Sequence, residues 1–297
     1  MEIRKVGIVG LGSIGSIYAY LFTESFGREN VFIIADDDRI TKYRKDGLYV
    51  NGELMPFNYV YQNELLHVDL MIFATKFYDL DQAIKLARGA TTNKTVIFSF
   101  VNGVTSEDII ADKLGSTHVL YSTVQGMNVK KKGNRVEIGD TGFVAFGDKS
   151  NTKTEDVKAV EMAFDRACIR YQIPEDIMKQ LYSKWMCNVG LNQTCAYFGE
   201  GYGAVHPSGP HHETFKRAME EARKCAVSEG INLTEDEIEK WVRIVGGLDP
   251  QGEPSMLQDI KAGHRTEIEL FAGTVIRLAK KHGIQVPINE EFFRRLA

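Results

Sequence analysis

Residues 5–16 constrain the fold more than any other stretch of the chain. Lys5-Val6-Gly7-Ile8-Val9 reads as a buried strand and runs directly into Gly10-Leu11-Gly12-Ser13-Ile14-Gly15. Beyond it Ile17, Tyr18, Tyr20, Leu21 and Phe22 give an apolar helix. Strand, glycine turn and helix in this order begin a crossover unit, and each glycine has its own task. Gly10 allows the tight turn, Gly12 lets backbone approach a pyrophosphate, and Gly15 lets helix and strand pack closely. The N-terminus of the helix then faces the phosphates. A dinucleotide site is expected at Gly10, Leu11, Gly12, Ser13, Ile14 and Gly15.

The second strand, Val31–Ala35, ends at Asp36. A carboxylate there accepts hydrogen bonds from ribose hydroxyls and repels a 2′-phosphate, which favours NADH. Asp36 also reads as a cap for the helix carrying Arg39 and Lys42, and Arg39 offers a counter-charge to a 2′-phosphate. The residues thus leave NADH and NADPH both open.

Apolar runs and helical stretches go on alternating, as a parallel sheet with crossover helices requires. Leu70–Ala74, Thr95–Phe100 and His118–Thr123 read as further strands, and Asn51-Gly52 as a type I′ hairpin at the sheet edge. Arg135–Ile138, Gly142–Phe146 and Cys168–Gln172 follow as short strands around an amphipathic stretch at 155–167. From Pro174 on, 3.6-residue periodicity takes over at 177–198, 212–229, 235–245 and 267–282. The expected class is α/β, with an N-terminal Rossmann-like doubly wound sheet at 1–174 and a C-terminal all-helical domain at 175–297. Their short connection, with Asp176 as a helix cap, favours a site in the cleft between them.

Composition narrows the function. With 36 Lys+Arg against 40 Asp+Glu the net charge is −4, so no general basic field attracts nucleic acid or an anionic membrane. No apolar run approaches the length needed to span a bilayer. The four cysteines form no C-x-x-C pair, and Met1 leads straight into a strand, so a cytoplasmic location is expected.

In the first long helix Lys184, Asn188 and Asn192 recur at i, i+4 and i+8 and share one stripe, flanked by Leu181, Trp185, Val189 and Leu191. A lysine stacked on two asparagines in an apolar frame suits either a ligand site or an interdomain polar network. Further on, Ser255-x-x-Gln258 and Thr266-x-x-Glu269 read as two capping boxes separated by Gly263, so that a second helix begins at Glu267. The break lets Ser255 and Glu267 converge, whereas one continuous helix would hold them roughly 18 Å apart. Glu267 also fits a plain helix-dipole role. His206, His211 and His212 read as surface residues, and Cys187 and Cys195 as core fillers.

Taken together, Gly10/Gly12/Gly15, Lys76, Asn102-Gly103, Lys184 with Asn188 and Asn192, and above all Ser255-Met256-Leu257-Gln258-Asp259 with Thr266-Glu267-Ile268 resemble the ketopantoate reductase (2-dehydropantoate 2-reductase) family along essentially the whole chain. The resemblance implies hydride transfer from NAD(P)H to a 2-oxo acid, most directly 2-dehydropantoate to D-pantoate in pantothenate biosynthesis. It makes Lys184 the group that polarises and protonates the ketone, and Glu267 the residue that orients Lys184 and binds the substrate hydroxyl and the cofactor. Asn188, Asn192 and Ser255 would hold the substrate, Asn102 would stand by substrate and nicotinamide, and Lys76 would stand by the cofactor. The helical domain would serve substrate binding and pairing into a homodimer, and no metal is implied. NADPH-using members commonly carry Arg just after the second strand, where this chain has Asp36-Asp37. Relatives that use NAD act on other branched or aromatic D-2-hydroxy acids, D-mandelate dehydrogenase among them. A nucleotide-binding regulatory protein without turnover is the reading from another class, and intact Lys184 and Glu267 argue against it.

Overall fold

Strands covered on both faces are apolar at nearly every position, and four such strands form the centre of the N-terminal unit. In the computed structural model, which describes residues 1–64 and 66–297 with the backbone alone at Gln62, the chain divides into Met1–Ile177 and Met178–Ala297. The first unit runs β1 (Val6–Val9), α1 (Ser13–Phe26), β2 (Val31–Ile34), α2 (Asp37–Asp46), β3 (Tyr49–Val50), β4 (Glu53–Leu54) and β5 (Asn58–Val60). It continues through β6 (Leu70–Phe73), α3 (Leu80–Ala87), β7 (Val96–Ser99), α4 (Ser106–Leu114), β8 (Val119–Lys132), β9 (Arg135–Gly147), α5 (Glu155–Arg166) and β10 (Tyr171–Gln172). Every residue of β1, β2, β6 and β7 is buried.

The strands lie in the order β5-β2-β1-β6-β7-β8, all parallel, which is the doubly wound Rossmann-like order. The chain reverses direction across the sheet between β1 and β6, where a ligand crevice is expected at the strands' carboxyl ends. Gly10 leaves β1 at that point. Phenylalanines join the layers beneath it: Phe98 and Phe146 have ring centroids 5.3 Å apart, and Phe146 and Phe164 5.4 Å.

Two expectations for this unit need correction. Arg135–Ile138 and Gly142–Phe146 are one strand, β9, because the long antiparallel partner β8 carries the ladder across the intervening polar residues, with a register shift at Asn128/Val129. The strand expected at His118–Thr123 is accordingly the first part of the fourteen-residue β8. The Asn51-Gly52 hairpin lies at a sheet edge as expected, its β3 strand pairing with the far end of β9, Tyr49 opposite Arg135. The strand beside β2 is β5, three residues long and too short for a periodic signal.

The second unit is helical throughout its described residues: α6 (Ile177–Phe198, beginning on the last residue of the first unit), α7 (His212–Ser228), α8 (Glu235–Gly246), α9 (Ser255–Lys261), α10 (Ala272–His282) and α11 (Pro287–Leu296). Trp185, Phe215, Phe271 and Phe292 are fully buried at its centre. The first amides of α11, on Ile288 and Asn289, donate to the Glu221 carboxylate of α7, each at 3.0 Å. A carboxylate at a helix N-terminus satisfies orphan amides and complements the dipole. Among the described residues no helix is long and apolar enough to cross a membrane.

The two capping boxes do not form. Ser255 is the first helical residue of α9, behind Pro254, and makes no cap. The orphan amide of Met256 donates instead to Asn192 Oδ1 from α6, at 3.2 Å. After the break at Gly263, Glu267 does not begin the second helix; it precedes a 3₁₀ turn at Ile268–Leu270, and α10 starts only at Ala272. The Ala272 amide donates to Gln193 Oε1, again from α6, at 2.7 Å, while the Thr266 hydroxyl turns to the Leu296 carbonyl. In both cases a side chain about 60–80 residues away supplies what the local motif was expected to supply.

Candidate active site

The glycine turn in the first unit has the steric signature of a phosphate cradle. Gly10 has φ +98°, and a Cβ there would lie 2.7 Å from the Ala74 carbonyl oxygen that follows β6. A Cβ on Gly15 would lie 1.9 Å from the Gly10 oxygen, so α1 rests directly on the turn. Gly12 differs, because a Cβ there meets nothing nearer than Ala74 O at 3.8 Å. Its missing side chain is not required by the protein's own packing. As the N-cap of α1, Gly12 offers no side-chain acceptor to the first helical amides. Beside the turn the Thr75 hydroxyl is buried without a hydrogen-bond partner among the described residues. Free amides at a helix N-terminus, a bare glycine and an unsatisfied hydroxyl fit a dinucleotide diphosphate.

Asp36 caps α2: one carboxylate oxygen accepts from the Arg39 amide at 2.8 Å and the other lies 3.3 Å from the Arg39 guanidinium. Arg39 also reaches Asp79 at 3.9 Å, so two carboxylates lie beside it. Lys76 is half-buried and precedes the 3₁₀ turn Phe77–Asp79. Asn102 is half-buried in the loop after β7. A polar cluster that the sequence reading missed anchors that loop. Ser99 Oγ accepts from the Val101 amide at 3.3 Å and lies 2.8 Å from Ser106 Oγ, which donates to Glu107 at 2.8 Å. Glu107 is 1% exposed, and burial pushes its carboxyl up to about 7.

In the second unit α6 carries Lys184, Asn188 and Asn192 one turn apart, and the two asparagines are hydrogen-bonded. Asn192 donates through Nδ2 to Asn188 Oδ1 at 3.2 Å, and its Oδ1 accepts from the Ser255 hydroxyl at 3.2 Å. Helix geometry alone aligns the three α6 residues, whereas tertiary packing adds Ser255. Lys184 is half-buried; burial lowers its ammonium from the usual 10.5 to about 8, against opposing pulls from Cys187 and the Glu267 carboxylate. Glu267 is 6% exposed.

Two bonds from α6 that sequence reasoning did not anticipate anchor the segment just after Glu267. Trp185 Nε1 donates to the Leu270 carbonyl at 2.9 Å, and Gln193 takes the Ala272 amide. Both anchors lie within five residues of Glu267, so the helix that carries Lys184 also sets the strap carrying its partner. An ammonium of lowered pKa beside a buried carboxylate and two amides can donate a proton and hold a small anionic substrate.

The remaining candidates are structural. His211 stacks on Phe198 with centroids 3.4 Å apart, and His212 Nδ1 lies 2.9 Å from the Val205 carbonyl oxygen. All three histidines are intermediate in exposure, as partly covered surface residues, His211 against the Phe198 ring and His212 beside the 3₁₀ turn at Tyr202–Val205. Cys187 is buried, and burial pushes its thiol up to about 12. Among the described residues no group of three or more His, Cys, Asp or Glu is placed to hold a metal ion.

Comparison with known proteins covers both units. The family described as Ketopantoate reductase PanE/ApbA matches residues 6–151, and its C-terminal counterpart matches residues 176–297. A 2-dehydropantoate 2-reductase of Aquifex aeolicus is 28% identical over 295 residues, 97% of this chain and 94% of that one. Among solved structures, D-mandelate dehydrogenase with NADH and anilino(oxo)acetate has TM-score 0.87 at 22% identity, covering 98% of this chain and 97% of that one. A dimeric ketopantoate reductase from Staphylococcus aureus has TM-score 0.81 at 18% identity, covering 98% and 97%.

Proposed function

The chain belongs to the ketopantoate reductase family, and from that premise we propose that it reduces the ketone of a 2-oxo acid with NAD(P)H, converting 2-dehydropantoate to D-pantoate for pantothenate biosynthesis. The observation that carries the reading is Lys184, whose ammonium is lowered to about 8 beside the buried Glu267 carboxylate. A bound nicotinamide supplies the hydride. As negative charge builds on the ketone oxygen, the Lys184 ammonium stabilises it and delivers the proton. Glu267 orients Lys184 and accepts from the substrate hydroxyl. Asn188, Asn192 and Ser255 hold the substrate, chiefly at its carboxylate end, and Asn102 stands by the nicotinamide. On the cofactor side Gly10, Leu11, Gly12, Ser13, Ile14 and Gly15 take the diphosphate, Asp36 the ribose, and Lys76 the cofactor's outer edge.

Asp36 favours NADH. Its carboxylate keeps lone pairs for two ribose hydroxyls, and the guanidinium that would neutralise a 2′-phosphate is engaged by Asp36 and Asp79. These ion pairs are half exposed, so they bias Arg39 without locking it. The expected preference for NADH in kcat/KM is at least about tenfold, or roughly 1.4 kcal/mol. Steady-state kinetics over a panel of 2-oxo acids with each cofactor checks the reaction and the preference together. Fastest turnover of a bulkier or aromatic 2-oxo acid would select a D-2-hydroxyacid dehydrogenase instead, the second reading that Asp36 supports. Preference for NADPH would reduce Asp36 to a helix cap. Asp36→Ala should weaken NADH and improve NADPH.

A homodimer in the cytoplasm completes the proposal. The dimer is carried from the dimeric structural relative, and the reducing compartment suits the four free thiols. Light scattering should return twice the chain mass of 33.4 kDa, and a single-chain mass would remove the dimer.

A further inference from the structure

Along the outer half of β8 the side chains alternate in exposure: Met127, Val129 and Lys131 are half-buried, while Asn128, Lys130 and Lys132 are exposed. Met127 and Val129 pack against the core beneath α1, together with Ile14 of the glycine turn. Period-2 alternation calls for a third apolar residue at 131, and the chain has a lysine. Its Nζ donates to the Leu11 carbonyl oxygen, inside the glycine turn and one residue before the N-cap of α1. Among the described residues no carboxylate pairs with it, and burial lowers its ammonium to about 8. A half-buried cation whose acceptor is a neutral carbonyl is poorly compensated by the protein alone.

We propose that Lys131 is a cofactor-binding residue, its ammonium reaching from the β8–β9 hairpin over the glycine turn to the diphosphate of the bound dinucleotide. The inference rests on the dinucleotide reading above and extends it to a residue outside the motif. An ammonium has three donors; Leu11 takes one, and the others remain for phosphate oxygens. The helix N-terminus offers amides and a partial positive charge but no full one, so a charge-assisted bond here adds what the turn lacks. The hairpin's geometry makes this placement possible, since β9 pairs Val136 with Lys131 on one side and with Val50 of β3 on the other.

Calorimetry on the full chain tests this with NADH, ADP-ribose and, by displacement, adenosine, which lacks the diphosphate. Lys131→Met keeps an apolar stem on the inward face, and should raise Kd for NADH and ADP-ribose by about tenfold while leaving adenosine unchanged. Lys131→Arg should restore both to within about threefold, because a guanidinium also pairs with phosphate. Raising salt from about 50 to 200 mM should weaken ADP-ribose less in Lys131→Met than in wild type, because one phosphate contact is gone. Unchanged ADP-ribose affinity in Lys131→Met overturns the proposal, as does an equal loss for adenosine, which would mark a purely structural lysine. Wild-type chain that binds none of the three ligands overturns the dinucleotide reading itself. A melting temperature taken on each sample separates lost contact from lost fold.

Discussion

Lys184→Ala is expected to lower kcat by about 10²–10⁴, the range for removal of a positioned acid, equivalent to roughly 3–5 kcal/mol of transition-state stabilisation. Cofactor Kd should stay near the wild-type value, because the glycine turn belongs to the other unit. The pH profile gives a second readout. The ammonium is lowered from 10.5 to about 8 by burial, and a proton donor must be protonated to act. Ketone reduction by the wild type should therefore hold level below about pH 8 and fall above it, while the reverse oxidation, which needs the neutral amine, should rise through the same range. Both dependences should vanish in Lys184→Ala. Near-normal kcat in the variant, or a wild-type rate flat to pH 10, would remove Lys184 from the chemistry.

The second large effect separates two glycines of one motif. In Gly15→Ala the new Cβ would sit 1.9 Å from the Gly10 oxygen and 3.1 Å from the Ala74 Cβ, so α1 must move off the turn. Overpacking of this kind costs about 1–3 kcal/mol, and a melting temperature lower by roughly 3–10 °C is expected, with cofactor affinity lost alongside it. In Gly12→Ala the Cβ finds nothing within 3.8 Å, so melting should stay within about 1 °C of wild type. NADH affinity should nevertheless fall at least about tenfold, because the Cβ occupies space that the diphosphate needs. Thermal melts and NADH titrations on the two variants decide it. Unaltered NADH affinity in Gly12→Ala would show that no ligand approaches that backbone, and wild-type melting of Gly15→Ala would show that the helix has room to shift.

Whatever depends on chain-local geometry was legible from the residues alone. Four buried runs and a glycine turn specified the strands around β1 and the start of α1, because a pleated strand and a helix impose periods of 2 and 3.6 that apolar residues must follow. Helix α6 was legible over 177–198 for the same reason, and with it the alignment of Lys184, Asn188 and Asn192. Local rules failed where a backbone group finds its partner far along the chain. Two plausible capping boxes at Ser255 and Thr266 lost to Asn192 and Gln193, since an orphan amide takes whichever acceptor packing brings within 3 Å or so. The segment that follows Glu267 is thus anchored by Trp185 and Gln193, and no motif around residue 267 announces either. Lys131 reads as one of three successive lysines in a charged strand end. Only the curl of β8 and β9 back over α1 singles it out and sets it on the Leu11 carbonyl, because which lysine faces inward depends on strand register and on what the hairpin packs against.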